Sequence, residues 1–247
     1  MTALPKIIRV EAKLFLRDPV GTFFAIAFPA LLILVLGLAM PGIREPADEL
    51  DGRLPLEVYL PITMTLAIAT VTMVTLVAVV ASYRERGVLR RLATTPVSPT
   101  ALLVAQVAVN VGALLLACGL AWLVAATVFD VPPPGNAVGL VLAFTLGASA
   151  MCAVALLVAA VTPSARASSG VGQLIYFPMM FFAGVWTPGP QMPDLVRKIA
   201  DFTPLGAASL AVQDAWAGSW PTVLHLAVMV AFTVVLGGIA ARYFRWE

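Results

Sequence analysis

Val58-Tyr-Leu-Pro-Ile-Thr-Met-Thr-Leu-Ala-Ile-Ala-Thr-Val-Thr-Met-Val-Thr-Leu-Val-Ala-Val-Val-Ala-Ser-Tyr83 runs for 26 residues without a charge, then meets Arg84-Glu-Arg-Gly-Val-Leu-Arg-Arg91. A helix rises about 1.5 Å per residue and the hydrocarbon layer is about 30 Å thick, so roughly 20 apolar residues cross it. The stretch is therefore long enough to span a bilayer, and the charge cluster behind it marks a membrane surface.

Five other stretches behave alike: Pro19 to Ile43, Leu92 to Phe129, Val131 to Ala165, Ala167 to Pro193 and Ala215 to Ala241 each lack charge over at least 25 residues. None shows the ten-residue alternation of an outer-membrane barrel strand. The whole chain of 247 residues is 61% hydrophobic and 11% charged, whereas a soluble domain carries about 25% charged residues. That excludes a soluble enzyme or a nucleic-acid binder.

The expected fold is an all-α membrane protein, a single transmembrane domain over 1–247. It has six transmembrane helices, at about 20–40, 57–82, 100–127, 137–162, 168–186 and 222–242. An amphipathic interfacial helix over 3–18 precedes them, and an external re-entrant hairpin over 187–221 comes before the last span. The first span is too long for a cleaved signal peptide.

Orientation follows from Lys and Arg. With both termini on one side, that side holds Lys6, Arg9, Lys13, Arg17, Arg84, Arg86, Arg90, Arg91, Arg166, Arg242 and Arg245, against Arg44, Arg53, Arg197 and Lys198 on the other. Eleven against four places both termini in the cytoplasm of a multi-pass inner-membrane protein.

In 3–18 the four basic residues fall within roughly an 80° arc, opposite Leu4, Ile7, Ile8, Leu14 and Phe15, as in a helix lying on an anionic leaflet. Glu11 projects into the apolar arc. Either a local ion pair or a buried contact with another part of the protein accounts for it. The threonines of the second span, Thr63, Thr65, Thr70, Thr72 and Thr75, read as helix packing or, less simply, as a polar lining.

Segment 83–95 holds the densest charge, closed by Pro96 and Pro99. It fits a positive-inside anchor, and it also fits a short helix docking on a cytoplasmic partner. The fifth span, with Tyr176, Phe177, Pro178, Met180, Phe181 and Trp186, fits ordinary packing or an adaptable ligand-facing surface.

Catalytic signatures are missing. The three lysines, Lys6, Lys13 and Lys198, do not follow a glycine, so there is no P-loop. Cys118 and Cys152 fall inside spans and read as small apolar residues. No metal-ligand cluster is visible. His225 with Asp214 is the one candidate pair for a membrane-embedded enzyme. A channel or secondary carrier is the other alternative, although no span contains a charge. A transporter lacking its own ATPase or coupling ion must borrow energy.

Three segments together resemble the type-2 ABC exporter permeases, the six-span subunits of drug, polysaccharide and lipid-linked-glycan exporters. They are Glu11…Arg17-Asp18-Pro19, then Glu85-Arg86-Gly87-Val88-Leu89-Arg90-Arg91-Leu92…Thr95-Pro96, and Phe177-Pro178-Met179-Met180-Phe181…Trp186…Met192-Pro193…Thr203-Pro204-Leu205. Within that family the chain resembles actinobacterial daunorubicin-resistance permeases.

The resemblance implies a permease dimer working with two copies of a separate ATPase that binds ATP and Mg, this chain itself holding no cofactor and catalysing nothing. It implies that 83–95 is the coupling helix, with Glu85, Arg86, Gly87, Leu89, Arg90, Arg91 and Leu92 meeting the ATPase. Glu11 and Arg17 would belong to the interfacial helix beside it. Tyr176, Phe177, Met180, Phe181 and Trp186 would line the path of a hydrophobic or amphipathic drug, lipid or glycolipid. Met192, Pro193 and Pro204 would form the external gate.

Overall fold

Asp18 and Pro19 break the chain between its first two helices. The Asp18 carboxylate accepts from the Gly21 amide at 3.0 Å, and Pro19 opens the next helix, where a missing N–H costs nothing. The computed structural model describes residues 3–47, 50, 52–88, 91, 99–186 and 192–243. Leu89, Arg90 and Leu92, and residues 187–191 of the expected hairpin, lie outside them.

Among the described residues the chain is helical, without strands. The helices are α1 (Ala3–Leu16), α2 (Pro19–Ala39), α3 (Pro55–Glu85), α4 (Pro99–Phe129), α5 (Ala137–Val161), α6 (Ala165–Phe182), α7 (Asp194–Ala200), α8 (Pro204–Trp216) and α9 (Val223–Tyr243). Five of them, α2, α3, α4, α5 and α9, are long and apolar enough to cross a membrane. The expected span 168–186 corresponds to α6, which starts earlier and stops at Phe182. Arg166, Ser168, Ser169 and Gln173 make its first half too polar to join those five.

Two spans widen into π-helix, at Phe23–Ala27 and at Thr70–Leu76. The first lies just before Pro29, which has no N–H to give to an earlier carbonyl. The second coincides with threonine hydroxyls that bond back one turn, Thr70 to Leu66 O at 2.9 Å and Thr72 to Ile68 O at 2.7 Å, competing for the helix's own acceptors. Thr65 does the same to Pro61 O at 2.9 Å. These hydroxyls serve the helix and its packing.

Helix α3 is the most enclosed span and α9 the least. The core runs along α3 from Ala67 to Ala81, joined by Leu114 and Ala117 of α4, Met151 and Ala155 of α5, and Leu205 of α8. Ala-rich α8 is buried among α3, α5, α6 and α9. The amides of Gly135 and Asn136 donate to the carbonyls of Trp216 and Ala215 at 3.1 and 3.0 Å, which seats the end of α8 at the α4–α5 turn. Ala208 meets Gly147, ten residues into α5, so that part of α8 lies about 15 Å in from the turn.

The bundle thus has two ends. One carries α1, the end of α3, the α5–α6 turn and the end of α9. The opposite end carries the α4–α5 turn, α7 and the end of α8. There Arg44 donates to Gly37 O and stands 4.8 Å over the Phe129 ring.

Candidate functional site

The end of α3 is where the buried centre of the bundle reaches the basic surface, and three consecutive residues there hold three different elements. The Tyr83 hydroxyl donates to Glu11 Oε2 of α1 at 2.7 Å. Arg84 Nη1 donates to the carbonyls of Ala159 and Ala160 at 2.6 and 2.7 Å, and its Nη2 donates to Thr162 O. Glu85 Oε2 accepts the Ala165 amide at 2.9 Å.

Glu11 is 6% exposed although α1 and the turn after it present Lys6, Arg9, Lys13 and Arg17 to the outside. Besides Tyr83 it accepts from Gln106 Nε2 of α4. Of the two sequence readings, the structure has the buried contact. Burial raises the Glu11 carboxyl above its ordinary range, and the two donated bonds pull it partly back. Gln106 O in turn accepts from Asn110 Nδ2 at 2.7 Å. A polar ladder therefore leads from α1 into α4.

Beyond Glu85 the chain turns outward. Gly87 has φ +65° with open space where a Cβ would stand; this left-handed backbone suits glycine. Arg86 and Arg91 are exposed, and Arg91 Nη2 donates to Arg86 O at 2.8 Å. Arg17 is exposed at the turn after α1.

The aromatic and methionine residues of α6 and of the turn after it divide between two surfaces. Tyr176 and Met180 face inward. The Tyr176 hydroxyl and Thr70 Oγ1 are 3.0 Å apart, and Met180 is buried. Phe177, Phe181 and Trp186 face outward and are 58%, 39% and 54% exposed. Of the expected gate residues, Met192 and Pro204 are buried and Pro193 is exposed.

His225 is buried, and its Nε2 lies 3.0 Å from Asp201 Oδ1. Of the candidate pair His225 and Asp214, the histidine ring therefore has its hydrogen bond with Asp201. Asp214 instead accepts a 3.4 Å bond from Thr222. Burial raises its carboxyl, with His225 and the Thr222 bonds opposing. Among the described residues no three His, Cys, Asp or Glu side chains stand close enough to hold a metal.

The profile of the ABC-2 type transporter family matches residues 3–215, a span that begins with α1 and ends one residue before the end of α8. The chain belongs to that family. It is a type-2 ABC transporter permease, a multi-pass membrane subunit. The family implies lipid surroundings and an ABC ATPase partner to which hydrolysis of ATP belongs. No curated protein sequence matches the chain.

In this ABC-2 permease the structure joins Glu11 to the root of the basic segment and separates the α6 residues into inner and outer groups. Sequence reasoning overlooked Arg84, Gln106, Asn110 and Asp201. Gln106 and Asn110 were discoverable, because amides are out of place in a span of α4's composition and sit four apart on one face. Nothing local to Arg84 distinguishes a helix-capping guanidinium from an anchor.

Proposed function

We propose that the chain is the path-forming subunit of an ATP-driven exporter, working as a dimer with two ATPase subunits in the cytoplasmic membrane. The basic end of the bundle faces the cytoplasm, which the excess of Lys and Arg there supports. Helix α6 completes six spans, and the α7–α8 hairpin caps the external end beside Met192, Pro193 and Pro204. The observation that carries the proposal is the junction at Tyr83, where the most enclosed span emerges directly into a basic segment with exposed Arg86 and Arg91. With Leu89, Arg90 and Leu92, that segment supplies the charged and apolar side chains a docking helix needs.

The exposed row of Phe177 and Phe181 on α6, with Trp186 just beyond its end, supports a path between two permease chains, since such a surface serves either a partner or an apolar cargo. A hydrophobic or amphipathic drug, lipid or glycolipid suits that lining. The test is co-expression with a candidate partner ABC ATPase. The parent should retain the ATPase through affinity purification, and Arg86→Glu with Arg91→Glu should lose it while the permease stays monodisperse. Undiminished retention in the double variant would sink the docking surface.

A further inference from the structure

The carbonyls at the end of a helix have no partner within it. Helix α5 ends at Val161, and the Thr162 amide and hydroxyl both donate to Val158 O, at 3.2 and 2.7 Å. The next two carbonyls, Ala159 and Ala160, are taken by the guanidinium of Arg84, which also reaches Thr162 O. A planar guanidinium with several fixed donors can hold such a fan of acceptors, whereas an ammonium acts as a point.

One residue on, Glu85 receives the Ala165 amide at 2.9 Å. Ala165 is the first residue of α6, whose N-cap Ser164 accepts from Ala167 at 3.2 Å. A cation thus meets the carbonyl end of α5 and a carboxylate meets the amide end of α6, each matched to the local helix dipole. Both come from adjacent residues of α3. The α5–α6 turn is gripped from both sides by the last two residues of the span that leads into the docking segment.

We infer that Arg84 and Glu85 are positioning residues that strap the α5–α6 turn to the end of α3, so that movement of the docking segment is passed to α5 and α6 as well as to α3. This rests on the docking reading above. Glu85 is exposed, and its task here is a hydrogen bond within the chain, to the Ala165 amide, in place of direct contact with the ATPase. Gly87, two residues beyond, marks where the strap ends and the docking segment begins. The transmitted motion is of the rigid-body kind, carried by packed helices with two arrangements.

The experiment uses the permease–ATPase complex in lipid nanodiscs, with Cys118 and Cys152 replaced by alanine and spin labels at Arg166→Cys and Tyr243→Cys. Both labelled positions are exposed. The probe is ATP with vanadate, and the reading is the change in label-to-label distance on trapping. The complex with Arg84 and Glu85 intact should show a shift. Arg84→Gln and Glu85→Ala should lose the shift yet keep the ATPase bound and the resting distance unchanged. Arg84→Lys should keep only part of it, which protects the test should the harsher variants fail to fold. A full shift in all three variants, or no shift with Arg84 and Glu85 intact, overturns the strap. Failure of the intact complex to retain the ATPase would instead overturn the docking reading.

Discussion

The Tyr83 hydroxyl donates to the Glu11 carboxylate across 2.7 Å and so joins α1 to the end of α3. The two residues are 72 positions apart in sequence, and the carboxylate also takes the Gln106 amide. Truncating Glu11 leaves two donors facing a buried space. An unsatisfied buried donor costs about 1–3 kcal/mol, so Glu11→Ala should lower the unfolding temperature of the detergent-solubilised permease clearly. Glu11→Gln, which keeps an acceptor, should not.

The same carboxyl gives a pH signature. Its folded value is raised above the ordinary range, chiefly by burial, so the folded state binds a proton more readily than the unfolded chain does. Stability therefore falls as pH rises from the ordinary carboxylate value through the raised folded one, and is level above it. Glu11→Gln removes that slope. Thermal unfolding of the two proteins across this window should diverge as pH rises, with the Gln protein the more stable; parallel curves would refute the assignment.

Tyr176 and Thr70 are joined at 3.0 Å between α6 and the π segment of α3. Thr70 also donates to Leu66 O, so it keeps a partner when the tyrosine hydroxyl goes. Interhelical bonds in membranes average about 0.6 kcal/mol. Tyr176→Phe should therefore be mild, and a double-mutant cycle with Thr70→Val should return a coupling of that size. A coupling of zero would mean the two hydroxyls do not meet.

The spans α2, α3, α4, α5 and α9 were legible because hydrocarbon thickness dictates the length of an uncharged run. The partners of the charged residues were not. Lys and Arg counts assign a side of the membrane without saying that Arg84 reaches the end of α5. Glu11 stood out as an acid on an apolar arc, yet Gln106 lies 95 positions away and only packing brings it there. The aromatic and methionine set at 176–186 divides between two surfaces for a related reason. Its composition marks Tyr176, Phe177, Met180, Phe181 and Trp186 alike, and only the neighbour α3 decides which of them turn inward.

Asp201 holds the buried His225 at 3.0 Å, while the other ring nitrogen, Nδ1, has no hydrogen-bond partner among the described residues. The ring joins the α7–α8 connection to the start of α9. Asp201→Asn, which retains an acceptor, should leave expression and unfolding temperature nearly unchanged. Asp201→Leu strands the imidazole and should cost about 1–3 kcal/mol, the penalty of an unsatisfied buried polar group. Equal losses in both variants would show that charge, rather than the bond, secures the α7–α8 connection to α9.

Gly147 of α5 faces Ala208 of α8 so closely that a Cβ at 147 would lie 2.7 Å from the Ala208 Cβ. Both atoms are Cβ atoms whose positions the helical backbones fix, so no side-chain rotation relieves the clash, and the helices must part. Overpacking of this kind costs typically about 1–3 kcal/mol. Gly147→Ala should lower the unfolding temperature and loosen α8, measured as faster amide hydrogen exchange over 204–216. Ala208→Gly removes the opposing methyl, so the double variant Gly147→Ala/Ala208→Gly should recover much of the loss. Recovery by that second substitution separates a steric contact between α5 and α8 from a general weakness of α5, in which case the two losses would simply add.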